Sequence, residues 1–486
     1  MTNSALSHNT NLDAALLGIT LDRGGGRPLH AQLAQALRRL ILSGRAASGA
    51  RLPASRRLAA ELGVSRITAL AALDQLVAEG YLETRRGAGT FVAGDLPHIA
   101  TPEHRAAQGP APGAPAPLRP FHPGLPDLAG FPHAAWARHL DQSWRNPEPA
   151  LLAVPDPMGW APLRNAIAAH LDAWRGIACA GGQVIVTSGA AEAFALIAQS
   201  MREPGAEVLV EEPGFAPMRR ALAEAGLACR PCPVDCDGFD IAAAEADHPD
   251  ARAAVVTPSR HYPYGMTLPL PRRLALLDWA ARRDAWVVED DYDSEFRYRG
   301  APLPALMSLD TGGRTLYVGS FSKLLSPALR LGYLVAPPRL LPALRAALDR
   351  RGAQASLTPQ PALARFMASG EFAVHLRRMR RVYAQRQDAL RAAITAEIPD
   401  LLIAPPDPSG MHLVAGLGPA LAGRVHDREI AAAAQEAGLT LRALSAYATG
   451  PGARQGLVLG YAAFDEAALR DAVARLARVI RRLAAA

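Results

Sequence analysis

The sequence predicts an α/β protein in which a small N-terminal winged helix-turn-helix domain precedes a large domain with a mostly parallel, doubly wound sheet. Three observations predict this fold class. Positions 52–92 combine a helix–turn–helix pattern with two glycine-flanked strand segments. A stretch rich in proline and alanine follows. Beyond it, short apolar runs alternate with helical patterns, as expected when helices connect parallel strands.

Length and composition indicate where the domains begin and end. A chain of 486 residues has room for two or three domains. We expect the winged-helix domain at 17–94, a semi-extended linker at 95–120, and a large domain with a smaller C-terminal subdomain at 121–486. The sequence lacks a run of about 18 apolar residues and an apolar signal-peptide segment, so we expect a cytoplasmic protein with no membrane partner.

Basic residues are concentrated in the first fifth of the chain. The net charge is +7, and positions 1–94 contain eleven arginines and six acidic residues, a difference of +5. A basic surface of this kind predicts binding to a polyanion.

The winged-helix prediction is built from a helix, a helix–turn–helix and a wing. A first helix is predicted from Pro28 because Leu33, Leu37 and Ile41 share a face with Leu40. Over 52–73, Ser55 and Ser65 are candidate caps for two further helices, and Gly63 marks the turn between them. The residues expected to form the small core are Leu58, Leu62, Val64 and Leu70.

The second helix of this motif and the wing carry the candidate DNA contacts. The helix begins Ser65-Arg66-Ile67-Thr68, and Arg66 can reach a guanine edge if this end faces DNA. Positions 80–92 predict a two-stranded wing with a basic tip. The alternative is a small helical interaction module with solvated arginines. The candidate DNA-contacting residues are Arg56, Ser65, Arg66, Thr68, Arg85, Arg86 and Gly87.

Three motifs carry a resemblance to the GntR superfamily of winged-helix repressors. They are Leu52-Pro-Ala-Ser-Arg-Arg-Leu-Ala, Leu62-Gly-Val-Ser-Arg-Ile-Thr and Gly80-Tyr-Leu…Gly87-Ala-Gly-Thr-Phe-Val. The resemblance implies that the partner of this domain is double-stranded promoter DNA.

In the large domain, apolar strand patterns each lead into a turn or a helix. They lie within 184–191, 207–215, 253–258, 285–290 and 315–319. Ligands bind beyond the carboxyl ends of the strands in such sheets. Four residues follow predicted strand ends and are expected to converge there, namely Ser188, Phe215, Asp290 and Lys323.

Lys323 is the only lysine in the chain, while the other 51 of the 52 basic residues are arginine. A guanidinium stays protonated and forms no Schiff base, so one retained amine predicts covalent chemistry. Chance retention of a single lysine is the alternative. The neighbouring Ser320, Ser322 and Arg330 offer the donors that a phosphate needs. An amine beside a phosphate site, with an acid such as Asp290 for a ring nitrogen, indicates pyridoxal phosphate.

The large domain resembles the fold-type I pyridoxal-phosphate enzymes of the aspartate aminotransferase kind. The stretches that carry the resemblance are Val288-Glu-Asp-Asp-Tyr-Asp-Ser-Glu-Phe-Arg-Tyr and Gly319-Ser-Phe-Ser-Lys…Pro327-Ala-Leu-Arg-Leu-Gly-Tyr. Together with the first domain, the whole chain resembles the MocR-type regulators of the GntR superfamily.

This resemblance implies a role for each matching residue. Lys323 would hold the cofactor aldehyde as the catalytic residue, Asp290 would pair with the pyridine nitrogen, and Tyr292 would bond the ring hydroxyl. The phosphate would be held by Ser320, Ser322, Arg330 and the backbone of Gly189 and Ala190. Phe215 would stack on the ring. The resemblance also implies a homodimer.

Some positions depart from the family pattern. Val154 stands where a tyrosine of the partner subunit is common, Glu192 stands in a helix start that usually carries glutamines, and Tyr264 replaces a small residue. Leucine fills the place near 456–461 where aminotransferases carry an arginine for the substrate carboxylate. The candidate effector contacts are Arg260, His261 and Arg442.

The sequence therefore favours a transcriptional regulator that senses an amine, an amino acid or the cofactor itself. Two alternatives stay open: an active aminotransferase that carries a DNA-binding domain, and a DNA-binding scaffold with an empty enzyme domain.

The four cysteines favour structural thiols rather than a metal site. Cys229, Cys232 and Cys236 are closely spaced, but their segment has the pattern of a short strand. We expect these residues and Cys179 to be reduced, and we expect no metal.

Overall fold

The computed structural model describes residue 16 and residues 18–24, 26–85, 87–94, 118–201, 205–300, 303–352, 355–450 and 453–485. The chain forms two compact units, Met1–Ala116 and Pro117–Ala486. Most of the linker predicted at 95–120 lies outside the described residues.

The first unit is a winged helix-turn-helix. Its elements are α1 (Leu29–Leu42), α2 (Ser55–Leu62), α3 (Arg66–Ala78), β1 (Leu82–Arg85) and β2 (Gly89–Val92). The two strands pair antiparallel, with Leu82 opposite Val92. Leu33, Leu37 and Ile41 on α1 are buried, as their spacing predicts, and they belong to one hydrophobic core with Leu58.

The turn between α2 and α3 has the predicted chemistry. Gly63 ends α2 with a left-handed φ of 63°, a conformation that glycine adopts without strain. The Ser65 hydroxyl accepts a hydrogen bond from the Thr68 amide at 3.0 Å and caps α3.

Two sequence predictions in this unit are wrong. Ser55 is already the first helical residue of α2, so Ala54 occupies the cap position and no side chain caps this helix. Leu70 was expected in the core, but 44% of its surface is exposed. The core side of α3 is formed instead by Ala69, Ala72, Leu73 and Leu76, because the helix is apolar on more than one face and its pattern does not identify the buried one.

The second unit contains twelve further strands among its described residues. They are β3 (Val184–Thr187), β4 (Glu207–Glu212), β5 (Ala228–Asp235), β6 (Gly238–Phe239), β7 (Ala253–Val256), β8 (Trp286–Asp291), β9 (Thr315–Ser320), β10 (Gly332–Val335), β11 (Leu402–Ile403), β12 (His412–Leu417), β13 (Arg442–Ala443) and β14 (Gly456–Gly460).

Its α-helices are α4 (His133–Trp144), α5 (Pro149–Leu152), α6 (Ala161–Arg175), α7 (Ala190–Ser200), α8 (Ala216–Glu224), α9 (Ile241–Asp247), α10 (Leu270–Arg283), α11 (Leu306–Leu309), α12 (Phe321–Leu324), α13 (Leu341–Arg351), α14 (Gln360–Ala368), α15 (Glu371–Glu397), α16 (Asp427–Glu436) and α17 (Glu466–Ala485).

Eight strands form the large sheet, in the order β3-β10-β9-β8-β7-β4-β5-β6. The central pairs from β9 to β5 are parallel, as predicted, whereas β10 runs antiparallel to both of its neighbours. The five predicted strand segments all lie in this sheet.

Both faces of the large sheet are buried, which explains why its strands are continuous apolar runs. Along β3, Val184 and Val186 belong to one hydrophobic cluster, whereas Ile185 between them belongs to another. Successive side chains of a strand point to opposite faces, so the sheet lies between these two cores.

A second, antiparallel sheet has the order β11-β12-β14-β13 and forms the smaller C-terminal part of the unit with α16 and α17. In the part of the chain that the structure describes, no helix is both long and apolar enough to cross a membrane.

Candidate functional site

Lys323 lies in α12, the one-turn helix that follows β9 at the carboxyl edge of the large sheet. Its Nζ donates a hydrogen bond to the carbonyl oxygen of Gly124 at 2.8 Å. Burial lowers the pKa of Lys323, and the carboxylates of Asp293 and Asp290 act in the opposite direction. A lowered pKa increases the fraction of neutral amine, which is the nucleophilic form.

The acidic end of β8 places its carboxylates on two faces of the sheet. Glu289 and Asp291 both lie near the Arg175 guanidinium, at 3.6 and 3.1 Å. Asp290 between them points to the other face and is buried, and its carboxylate accepts no hydrogen bond from the described residues. Burial, reinforced by neighbouring carboxylates, raises the pKa of Asp290 to about 8.

Tyr292 is held by a buried arginine. Arg260 Nη1 donates to the Tyr292 hydroxyl at 3.0 Å, and Nη2 donates to Asp407 Oδ2 at 2.7 Å and to the His412 carbonyl oxygen at 2.8 Å. Arg260 is only 2% exposed. Asp407 and His412 hold the Arg260 guanidinium, which in turn fixes the position of the Tyr292 hydroxyl. The sequence alone did not indicate the contact between Arg260 and Tyr292.

Tyr262 is the centre of an aromatic cluster on this side of the sheet. Its ring meets those of Phe215, Tyr292, His412 and Tyr447 edge-on, with centroids 5.2–5.9 Å apart. The hydroxyls of Tyr262 and Tyr447 are 2.9 Å apart. Phe215 and Tyr292 therefore both contact the Tyr262 ring.

The residues predicted to hold a phosphate lie around the starts of α7 and α12. Ser320 Oγ accepts a hydrogen bond from the Ser322 amide at 3.2 Å. Gly189, with φ at 134°, precedes Ala190 at the start of α7. Arg330 is exposed and lines a cavity of about 460 Å³ beside this helix, together with Ser188 and other residues.

Arg260 was one of three candidate effector contacts, and the second, His261, is also buried. It is 2% exposed, its Nε2 is 3.8 Å from Glu211 Oε2, and its ring packs on Tyr264. Burial lowers the pKa of His261 to about 3, so the ring is neutral at neutral pH. This placement fits a buried packing role.

Arg442 lies on the side of the small sheet that carries His412. Arg442 is the register partner of Val458, and Val458 is in turn the partner of Val414, two residues from His412 on β12. Directly opposed residues of antiparallel strands share a face. The Arg442 side chain is exposed.

The positive charges of Arg442 and Lys323 both act on the same residue, His122. Burial lowers the pKa of His122, and the positive charges of Arg442 and Lys323 lower it further. Leu457 and Leu459, which the sequence placed at the position of a substrate-binding arginine, belong to the hydrophobic core on the other face. Arg442 therefore places a positive charge on the face of the small sheet opposite to Leu457 and Leu459.

In the first unit, the two candidate DNA-contacting arginines of the helix-turn-helix are both exposed. Arg56 on α2 and Arg66 at the start of α3 are exposed. Ser65 and Thr68 hydroxyls are 2.8 Å apart and serve the cap of α3.

On the wing, Arg85 pairs with Glu83 at 2.6 Å and lies over the Phe91 ring at 4.6 Å. Gly87 has a φ of 76°, which suits the tip of the wing. Arg86 lies outside the described residues.

Five residues of the large-unit site were missed in the sequence: Gly124, His122, Tyr262, His412 and Tyr447. For His122 and Gly124 a signal existed, because Phe121-His-Pro-Gly opens the predicted large domain. The other three are brought to the site by packing between distant segments.

Two protein families match the chain. The family described as bacterial regulatory proteins, gntR family, matches residues 29–92, and the family described as aminotransferase class I and II matches residues 127–476. The chain is 38% identical to the probable rhizopine catabolism regulatory protein MocR of Rhizobium meliloti, over 94% of each protein.

The chain belongs to the MocR family of GntR-type regulators.

Two further relatives in this family are similar to the chain. The HTH-type pyridoxine biosynthesis transcriptional regulator PdxR of Corynebacterium glutamicum is 36% identical, over 96% of this chain and 98% of that protein. The HTH-type transcriptional regulator TauR of Rhodobacter capsulatus is 36% identical, over 76% of this chain and 80% of that protein.

Solved aminotransferases share the fold of the large unit of this MocR-family chain. LysN, an alpha-aminoadipate aminotransferase from Thermus thermophilus, is 28% identical with a TM-score of 0.68, covering 75% of this chain and 92% of that one. That structure holds N-(5'-phosphopyridoxyl)-L-leucine. The kynurenine aminotransferase of Pyrococcus horikoshii is 24% identical with a TM-score of 0.67, covering 74% of this chain and 90% of that one.

Proposed function

We propose that this chain is a transcriptional regulator that binds promoter DNA through its winged helix and pyridoxal phosphate through Lys323. The ligand that it senses is an amine, an amino acid or the cofactor itself. The observation that carries the proposal is that the only lysine of the chain and the buried Asp290 carboxylate lie at one sheet edge, near enough for their charges to interact, in a chain that also has a winged helix. MocR, PdxR and TauR, to which the chain is similar, are named as regulators.

The residues at this edge fit pyridoxal phosphate. Asp290 is a buried carboxylate without a hydrogen-bond partner in the described part of the chain, as expected of a group that pairs with a pyridine nitrogen. Lys323 has a lowered pKa, which suits an amine that attacks an aldehyde. When bound, the cofactor supplies that aldehyde, a phosphate and an electron-withdrawing ring.

Further residues hold these groups in place. Arg260 orients Tyr292, which we propose to bond the ring hydroxyl. We propose that Phe215, whose ring packs edge-on against Tyr262, contacts the cofactor ring. The phosphate would be held by Ser320, Ser322 and Arg330 and by the amides of Gly189 and Ala190, where the start of α7 provides a positive dipole end.

We propose that an effector carboxylate binds Arg442. This guanidinium is exposed, lies on the His412 face of the small sheet, and has no hydrogen-bond partner among the described residues. Arginine binds carboxylates in a bidentate manner. Arg260 and His261 are buried, so we propose that they shape the pocket through Tyr292 and Tyr264 rather than contact the effector.

Lys323 also contacts the segment through which the linker enters the large unit. Gly124, which accepts its hydrogen bond, follows the linker predicted at 95–120 by four residues. Phe121 in the same segment is fully buried and pairs with Gly460 of β14. Lys323 is therefore joined through residues 121–124 to β14 of the small sheet. We propose that this contact transmits occupancy of the site.

We propose a homodimer. Leu152 and Val154 are 69% and 94% exposed. In the family, a tyrosine at the position of Val154 commonly reaches the phosphate from the partner subunit. An association surface would cover these apolar side chains. A dimer also presents two recognition helices to two half-sites.

An active aminotransferase is the rival function. The Lys323–Asp290 pair favours it as much as it favours a sensor, whereas the GntR-type unit favours the regulator. Turnover of an amino acid with a keto acid by the purified protein would support the rival.

DNA binding with and without the cofactor tests the proposal. A tight-binding duplex is first selected from a random pool with the full-length protein. We expect pyridoxal phosphate to change its affinity for wild type and to leave that of Lys323→Ala unchanged. An equal affinity of the wild type in both conditions contradicts a role of the cofactor in regulation, and binding to no duplex contradicts the regulator itself.

A further inference from the structure

The recognition helix α3 exposes two apolar side chains beside its positive end. Ile67 is 80% exposed and Leu70 is 44% exposed. They are three residues apart, so their side chains are neighbours on one face of the helix. The opposite face is the one that packs in the core, through Ala69, Ala72, Leu73 and Leu76.

Folding of the first unit does not account for these two residues. A single exposed apolar residue is common on protein surfaces, but two adjacent ones form a patch. Ile67 is β-branched and occupies an early helical position, where a solvated polar residue or alanine would favour the helix at least as well. The patch gains stability only if another molecule covers it.

The charges around the patch indicate which molecule that is. Arg66, the first residue of α3 and the neighbour of Ile67 in the chain, is exposed, and so is Arg56 in the first turn of α2. Further along the exposed face, one turn beyond Leu70, stands Asp74. Phosphates are attracted to the arginine end and repelled at the Asp74 end, so a nucleic acid would meet the N-terminal half of α3 and not its C-terminal half.

We propose that Ile67 and Leu70 recognise thymine in the operator through its 5-methyl group in the major groove. The inference rests on the proposed DNA-binding function and deepens it. Among the four bases, only thymine presents a methyl group on the major-groove edge, where apolar side chains make specific contacts with it. Arg66 would supply the neighbouring polar contact to a guanine.

The spacing of the two side chains suits adjacent base steps. Three residues of α-helix advance about 4.5 Å along the helix axis. Successive bases of one strand are about 3.4 Å apart along the duplex. Ile67 and Leu70 can therefore approach methyl groups on neighbouring steps while α3 lies in the groove.

Replacing thymine by deoxyuridine tests this proposal, because it removes the methyl group and leaves every hydrogen-bonding atom in place. A tight-binding duplex is selected from a random pool with the full-length wild-type protein, and each thymine of its half-site is then replaced in turn. We expect at least one replacement to weaken wild-type binding about fourfold, the effect of burying one methyl group, about 0.8 kcal/mol.

The matched variants are Ile67→Ser and Leu70→Ser, with Leu270→Ser as control. Leu270 is 55% exposed in the other unit. We expect the first two variants to keep their affinity for random duplex and their circular dichroism. At least one of them should bind thymine and deoxyuridine duplexes equally, and Leu270→Ser should keep the wild-type sensitivity.

Three results would overturn the inference. If wild type binds the selected duplex tightly and is insensitive to deoxyuridine at every position, the methyl group is not recognised, although DNA binding stands. If, in addition, Ile67→Ser changes the molar mass of the free protein, the patch is a protein interface. If wild type binds no duplex, the proposed DNA-binding function fails together with this inference.

Discussion

Lys323 Nζ lies 2.8 Å from the carbonyl oxygen of Gly124, and a Cβ atom added to Gly124 would be 2.6 Å from the same nitrogen. The reactive amine is therefore packed directly against the backbone of the segment that follows the linker. Two distant parts of the chain therefore meet at this nitrogen. A ligand that bonds to Lys323 Nζ must displace its hydrogen bond to Gly124.

Gly124→Ala should impair the amine without removing it. The added methyl group collides with Lys323 Nζ, and alanine at a φ of 76° is strained by about 1–2 kcal/mol. We expect slower and weaker attachment of pyridoxal phosphate, measured by its absorbance, and a lower free energy of unfolding. Gly182→Ala is the control, because its added methyl group meets no atom within 4 Å. Equal attachment rates in the two variants would contradict the packing argument.

Asp290→Asn should stabilise the cofactor-free protein in alkaline solution. In the folded protein the pKa of Asp290 is about 8, above its usual value of about 3.9. Between these values the folded state binds more protons than the unfolded state, so the free energy of unfolding falls as pH rises. Asparagine cannot ionise, and the variant should gain stability on the order of a few kcal/mol at pH 8 to 9 and little at pH 4.

Urea denaturation at both pH values measures this effect. The same variant should retain pyridoxal phosphate poorly, since it lacks the carboxylate for the ring nitrogen. A variant that is less stable than wild type at pH 8 to 9 would show that Asp290 has a stabilising partner there.

Arg442→Leu should discriminate between effectors by their carboxylate. We expect the variant to bind pyridoxal phosphate normally and to lose its spectral response to amino acids more than to the corresponding decarboxylated amines. Removing a charge-assisted hydrogen bond costs about 1.5–3 kcal/mol, or roughly a 10- to 100-fold weaker response. Arg482→Leu, which changes an exposed arginine on α17, serves as control. Equal losses for both ligand types would rule out a carboxylate contact.

Arg66→Ala tests the polar part of DNA recognition. If Arg66 contacts a guanine edge, the variant should lose about 1–3 kcal/mol of binding to the selected duplex and little to random DNA. Fluorescence anisotropy with both duplexes measures this. An equal loss on random DNA would assign Arg66 to the phosphate backbone.

The sequence predicted the elements and residues whose position follows from local pattern. Lys323 and Asp290 could be placed at one sheet edge because each follows or ends an apolar run, and parallel strands bring such ends together. Ser65 could be identified as a cap because its hydroxyl acts on an amide only three residues away.

What the sequence could not predict depends on contacts between distant segments. Gly124 is 199 residues from Lys323, and His412 is 152 residues from Arg260. Leu70 was misassigned because α3 is apolar on more than one face, so spacing did not reveal the face that packs. The register of β13 on β14, which places Arg442, likewise follows only from the folded sheet.

The central claim is that Lys323 holds pyridoxal phosphate, and borohydride reduction tests it most directly. The chain contains no other lysine, so a phosphopyridoxyl adduct on a side-chain amine can form at one position only. We expect peptide mass spectrometry of the reduced wild-type protein to find the adduct on Lys323, and Lys323→Ala to carry none there. A reduced wild-type protein without an adduct on this residue would contradict the claim and leave a DNA-binding protein with no cofactor sensor.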